Sequence, residues 1–151
     1  MTPLQYIVQP LKQSDESFLW EMLYQALYVP EGYPPFPKEI IKNPEIAKYV
    51  HNWGSSNDIG FIAIDTNSQQ PFGAVWLRIL TGNNRGYGYI DDATPELTIA
   101  ILPEYRNKGV GTGLLAHIIE AAKQYYSTIS LSVSKGNPAL RLYQRMGFEV
   151  I

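Results

Sequence analysis

The sequence predicts a single α+β domain (mixed α/β), residues 1–151, with a largely antiparallel central sheet, one parallel βαβ pair and flanking helices. Three observations predict it. Two helical stretches early in the chain are followed by three β-rich runs in succession between residues 59 and 102. A strand-like run, Glu96 to Leu102, then leads into a helical pattern over 109–126 and a second strand pattern, Ile129 to Ser134. A strand–helix–strand order makes those two strands parallel neighbours. Finally, 151 residues with 45% apolar content suffice for one full core.

Taken in order, Leu4 to Leu11 alternates loosely and predicts a first strand. Ser14 is a candidate N-cap, with Asp15 and Glu16 in the first turn, where acids suit the helix dipole. Phe18, Leu19, Met22, Leu23, Ala26 and Leu27 then repeat at helical spacing. The Pro-rich run from Val29 to Pro37 stops that helix. A second helix is expected over about 38–53, split by Pro44. Ile59 to Asp65 and Phe72 to Leu80 predict a hairpin-like pair around residues 67–71, and Thr81 to Pro95 is a long polar loop with three glycines. After the 129–134 strand, Ala139 to Met146 predicts a short helix with Gly147 at its C′ position, and Phe148 to Ile151 the start of a last strand.

Composition excludes several classes of function. The net charge of −2 and the lack of a Lys/Arg block argue against a nucleic-acid partner. The absence of cysteine removes disulfides, thiolate metal sites and a cysteinyl acyl-enzyme. The first residues lack a basic segment followed by a long apolar run, and no stretch approaches the roughly 20 apolar residues of a membrane span, so a cytoplasmic soluble domain is expected. His51 and His117 are isolated in sequence, and no metal is expected.

The stretch Glu96 to Leu115 carries the chemistry. A strand closed by Pro103, a turn Arg106-Asn107-Lys108-Gly109-Val110-Gly111-Thr112-Gly113 and a helix N-terminus together make an anion site. Unpaired N–H groups and the helix dipole favour negative charge, and glycines let backbone approach a phosphate. Two readings of the turn fail. A dinucleotide fold needs Gly-x-Gly-x-x-Gly and a later acidic residue, and a kinase-type phosphate loop needs Gly-Lys-Ser/Thr; neither is present here. Arg106-x-x-Gly109-x-Gly111 instead resembles the acetyl-CoA signature of the GNAT superfamily of N-acetyltransferases. Asn137-Pro138-Ala139, Tyr143 and Gly147-Phe148 resemble that superfamily's second cofactor motif, in the expected order. The resemblance is clear over about residues 96–149. The superfamily usually continues with further strand after Gly-Phe, whereas this sequence ends at Ile151. A very short last strand, a truncated domain, or an edge supplied by a partner chain, as in a homodimer, would each account for that.

The resemblance implies transfer of acetyl from acetyl-CoA to a primary amine, by direct attack in a ternary complex. It implies that the backbone from Asn107 to Thr112, with Arg106, Lys108, Gly109, Val110 and Gly111, holds the pyrophosphate. Ile99, Ala100 and Ile101 would pair with the pantetheine arm, with a bulge nearby aiming an N–H at the thioester carbonyl. Asn137 would bond the pantetheine or cap the following helix. Tyr143 is the candidate general acid; a core-facing aromatic is the competing role. Glu96 is the candidate base, with Asp91 and Asp92 as alternatives that also suit a cationic amine; solvated acids are the plainer reading. Tyr33, Phe36, Tyr87 and Tyr89 lie in the two loops expected to flank the acceptor. The acceptor itself is expected to be a small-molecule amine. A peptide or protein amine, or a CoA-binding module without chemistry, are the alternatives.

Overall fold

The computed structural model describes residues 3–151. Four strands, β1 (Tyr6–Pro10), β2 (Ile59–Asp65), β3 (Pro71–Arg78) and β4 (Glu96–Ile101), form one antiparallel sheet in chain order. Helix α1 (Glu16–Ala26) and the short α2 (Pro44–Ala47) lie before β2, α3 (Val110–Ala122) follows β4, and α4 (Ala139–Arg145) comes last. No helix among the described residues is long and apolar enough to cross a membrane.

The sheet separates two apolar clusters. Leu19, Met22 and Leu23 of α1 pack with Tyr49, Val50 and Trp53 on Ala74, Trp76 and Ala100. Val110, Leu114, Leu115, Ile118 and Ala122 of α3 pack on Ala63, Phe72, Val75, Leu77 and Leu97. Successive side chains of a strand point to opposite faces, so Ala74 and Trp76 serve one core and Val75 and Leu77 the other. Phe72 joins the second cluster because the register slips there: Pro71 and Gly73 face the adjacent residues Ile64 and Ala63. The extra residue, Phe72, turns toward α3 and stacks on Tyr105 at 4.2 Å between ring centres. This corrects the expectation of a bulge near Ile99 to Ile101, since β4 pairs with β3 without interruption from Glu96 to Ile101.

The first helix is capped by a different residue from the one expected. Ser14 lies inside a 3-10 turn, Gln13–Asp15, and Asp15 closes it by accepting from the Lys12 backbone N–H at 2.8 Å. The predicted helix over 38–53 is broken into a 3-10 turn, Lys38–Lys42, the single turn of α2 with Asn43 as cap, and irregular chain to Trp53. Side chains of β3 capture the carbonyls that a longer helix would use. Trp76 donates to Tyr49 O at 2.9 Å, and Arg78 to Lys48 O, His51 O and Asn52 O at 3.1, 2.6 and 3.2 Å.

The predicted fifth strand, Ile129 to Ser134, is reduced to one parallel bridge, Glu96 to Ser130. Beyond Ser130 the chain leaves β4, because the Gly88 backbone packs against Leu131 and Ser132 and a turn at Gly136 redirects it. A wedge therefore opens between β4 and residues 131–137. The predicted last strand also does not form among the described residues. The Phe148 N–H bonds Tyr143 O at 3.0 Å and the Gly147 N–H bonds Gln144 O at 3.1 Å, so Gly147 and Phe148 close α4 in a Schellman turn.

Candidate active site

Two clefts meet in this wedge. The larger, about 760 Å³, runs along Ile99 to Ile101, Arg106, Asn107, Gly109 to Thr112 and the first turns of α4. The smaller, about 310 Å³, is lined by Tyr49, Tyr87, Glu96 to Ile99, Leu131 to Ser134 and α1. Ile99, Asn137 and Tyr143 belong to both.

The larger cleft is a backbone cradle. Gly109 is the N-cap of α3 in the left-handed conformation, φ +83°, which lets the turn reverse into the helix. Among the described residues no side chain caps α3, and the N–H groups of Asn107 to Thr112 donate no hydrogen bond to any of them. A side chain at Gly111 would press on the Leu142 tip at 3.0 Å, so the glycine keeps this wall thin. Gly113 serves packing, since a Cβ there would lie 2.8 Å from Tyr6 Oη. A row of free N–H groups at the positive end of a helix, with a glycine backbone for a surface, fits a pyrophosphate. Arg106 braces the turn by donating to Ile101 O at 2.9 Å. Lys108 is exposed and off the cleft wall.

On the open side of β4, Leu97 donates to Ser130 O at 2.7 Å and Ser130 to Pro95 O at 3.0 Å. By the two-residue period, the N–H and C=O of Ile99 and the N–H of Ile101 face the same side, beyond the point where Ser130 departs. That edge is where an extended amide chain can add as a strand.

The smaller cleft has a buried carboxylate at its floor. Glu96, 5% exposed, accepts from Tyr49 Oη through Oε2 at 2.7 Å. Among the described residues its Oε1 has no hydrogen-bond partner. No fully buried side-chain oxygen among the described residues lacks a partner, so Oε1 opens on the cleft that Glu96 lines. Burial, then the neighbouring carboxylate, push the Tyr49 phenol far above its ordinary range, so it stays a donor. Burial also raises the Tyr143 phenol, which keeps its proton available where the two clefts join.

The remaining predicted residues are dispersed. Tyr87 lines the smaller cleft and Phe36 the larger. Tyr33 is exposed outside both. Asp91 is occupied by the Ala93 N–H and the Thr94 hydroxyl, and Asp92 accepts from the Tyr89 hydroxyl at 2.6 Å. None of Tyr89, Asp91 and Asp92 lines a cleft. Asn137 accepts from the Ala139 N–H at 2.9 Å, capping α4 while it faces the junction. His51 and His117 are exposed, and no group of three or more potential metal ligands occurs among the described residues. Sequence reasoning missed Tyr49. Its only signal was a tyrosine inside an apolar helical pattern, which core packing explains equally well.

The model of the acetyltransferase (GNAT) family matches residues 20–148. This chain belongs to that family. An N-alpha-acetyltransferase of Sulfurisphaera tokodaii is 38% identical over 58 residues, 36% of this chain and 35% of that protein. N-alpha-acetyltransferase 50 of Danio rerio is 28% identical over 132 residues, 85% of this chain and 66% of that protein. The chain therefore spans about a third and just under two thirds of these curated relatives. An aminoglycoside N-acetyltransferase solved in complex with CoA shares the fold at a TM-score of 0.62 and 17% identity, covering 99% of this chain and 91% of that one. The GNAT fold thus accounts for the antiparallel sheet, and the wedge is its open edge.

Proposed function

We propose that this chain is an acetyl-CoA-dependent N-acetyltransferase that moves an acetyl group to a primary amine of a small molecule. The observation that carries the reading is the junction itself: a free N–H cradle continues into a cleft floored by a buried carboxylate. The N–H groups from Asn107 to Thr112 hold the pyrophosphate, and the outward edge of Ile99 to Ile101 takes the pantetheine amides as an added strand. The Ile99 N–H is the donor best placed on that edge for the thioester oxygen. Acetyl-CoA supplies an activated acyl carbon and a thiolate leaving group.

The amine arrives as an ammonium and must lose a proton before it attacks. Glu96 Oε1, the open oxygen of the pair, is the acceptor for that proton, directly or through one water. Tyr143, held neutral by burial, donates to the departing sulfur. The chain has no cysteine, so direct attack in a ternary complex is the route its residues support. A small acceptor is favoured by the modest cleft and by the glycine-rich loop packed across it. A second reading, a protein or peptide amine as acceptor, is supported by the likeness to the Danio rerio N-alpha-acetyltransferase over 85% of this chain.

The test is a calorimetric titration with acetyl-CoA, followed by CoA-thiol release with a panel of small amines and short peptides. Binding and turnover with a small amine is the expected result. Turnover with peptides alone would install the second reading. Binding with no transfer to any acceptor would make the chain a CoA-binding module.

A further inference from the structure

We propose that Tyr49 is a positioning residue that locks the Glu96 carboxylate and the roof of the acceptor cleft into one rigid unit. The proposal rests on the reading of Glu96 as the base. Tyr49 Oη makes two hydrogen bonds in opposite roles: it donates to Glu96 Oε2 at 2.7 Å and accepts from the Tyr87 N–H at 2.9 Å. Residues 85–88, Arg-Gly-Tyr-Gly, thereby lie directly over the carboxylate. The contact is close enough that a Cβ at Gly86 would overlap Glu96 Oε1 and sit 2.6 Å from Tyr49 Oη, and a Cβ at Gly88 would sit 3.2 Å from Glu96 Cδ.

The roof is fixed on either side of that bond as well. Lys48 Nζ donates to Arg85 O at 2.6 Å, and Ser130 Oγ to Gly88 O at 2.8 Å. Tyr49 is itself held from behind. Trp76 and Arg78 bind the backbone carbonyls at positions 48, 49, 51 and 52, and Arg78 is anchored by both oxygens of Asp58 at 3.0 and 3.1 Å.

One consequence is an assignment of atoms. With Oε2 already accepting from a hydroxyl that stays a donor, Oε1 is the oxygen left without a partner and the one positioned to receive the amine's proton. A second consequence is selectivity. The loop is tied at Arg85, Tyr87 and Gly88, so its backbone is fixed where the Tyr87 side chain enters the cleft lining. Leu27, Leu131 and Val133 offer an apolar wall to the carbon chain of a primary amine.

The experiment is Tyr49→Phe, alone and combined with Glu96→Gln, which preserves an acceptor for Tyr49. Three readouts are taken: kcat, acetyl-CoA affinity, and exchange of the Tyr87 amide by NMR. With Glu96 intact, Tyr49→Phe should lower kcat about tenfold, the scale of one hydrogen bond to a charged group. It should leave acetyl-CoA affinity unchanged and speed Tyr87 amide exchange about tenfold or more. In the Glu96→Gln background the added loss in kcat should shrink below about twofold, because Tyr49 acts through that carboxylate.

Equal loss in both backgrounds, or unchanged kcat with unchanged Tyr87 exchange, would overturn the proposal. If Tyr49→Phe does not fold, Gly86→Ala reaches the same carboxylate from the roof, and full turnover in that variant overturns it too. Glu96→Gln turning over at the unaltered rate would instead remove the base reading. The Tyr87 amide, which needs no turnover, would then decide the roof by itself.

Discussion

The groove along the start of α3 and the cleft floored by Glu96 share a wall but are built in opposite ways. The groove's polar surface is backbone, contributed by consecutive residues at the start of α3 and by one edge of β4, with side chains of α1, α4 and the 35–36 stretch as its walls. The Glu96 cleft is lined from six places in the sequence: α1 and the residues after it, α2 and the turn after it, the loop before β4, β4 itself, residues 131–134, and the start of α4. Its central hydrogen bond joins residues 47 apart. Backbone N–H groups survive most substitutions, so the groove is disrupted mainly by filling it. The cleft can be disrupted from a distance, by releasing whatever positions its side chains.

The largest effect should come from that second route. Arg78→Ala leaves Asp58 buried without its partner and frees the carbonyls that orient Tyr49. Breaking a buried pair in this way costs about 3–5 kcal/mol, and urea unfolding should record it. A loss below about 1 kcal/mol would mean that the turn after α2 holds itself in place. Gly111→Glu attacks the groove by filling it with a negative side chain. Acetyl-CoA affinity should fall about 100-fold in a calorimetric titration, roughly 2.7 kcal/mol, on protein whose folding is checked by circular dichroism. Affinity unchanged by that variant would place the pyrophosphate elsewhere.

Tyr143→Phe probes the boundary between the two regions. Loss of a positioned acid should lower kcat about tenfold to a hundredfold at constant acetyl-CoA affinity, as read from steady-state rates beside the titration. The smallest effect concerns pH. The Tyr49 phenol is raised in the folded chain, so its stabilising contribution is complete below the unfolded tyrosine value near 10 and is lost as pH rises beyond it. Tyr143 acts in the same direction. Urea midpoints from pH 8 to 11 should therefore fall at the alkaline end, and the fall should be shallower in Tyr49→Phe.

The same contrast explains what was legible in the sequence. The order of strands and helices could be read because each rests on local periodicity, and the cradle because Arg106, Gly109 and Gly111 are contiguous with the helix they open. The role of Gly147 could be read for the same reason, since a Schellman turn is a local motif. The breakdown of the helix over 38–53 could not. Nothing between those residues announces that Trp76 and Arg78 will take its carbonyls. The loss of the strand at 129–134 was hidden likewise, because its neighbour there is the backbone of Gly88, about 40 residues earlier. Asp91 and Asp92 have the right charge for a cationic amine, but Asp91 spends it on a turn and Asp92 on a neighbouring phenol. Tyr49 and Glu96 became partners only through the register of β4 against β3.

The alternation of β3 has an evolutionary consequence. Ala74 and Trp76 serve one core while Val75 and Leu77 serve the other, so the sheet is a bulkhead one residue thick. Substitutions on its two sides share few partners, and changes that do not touch combine nearly additively. Substitutions on the side of Tyr49 and Trp76, where the proposed acceptor would sit, can thus accumulate while Phe72, Val75 and Leu77 go on seating α3.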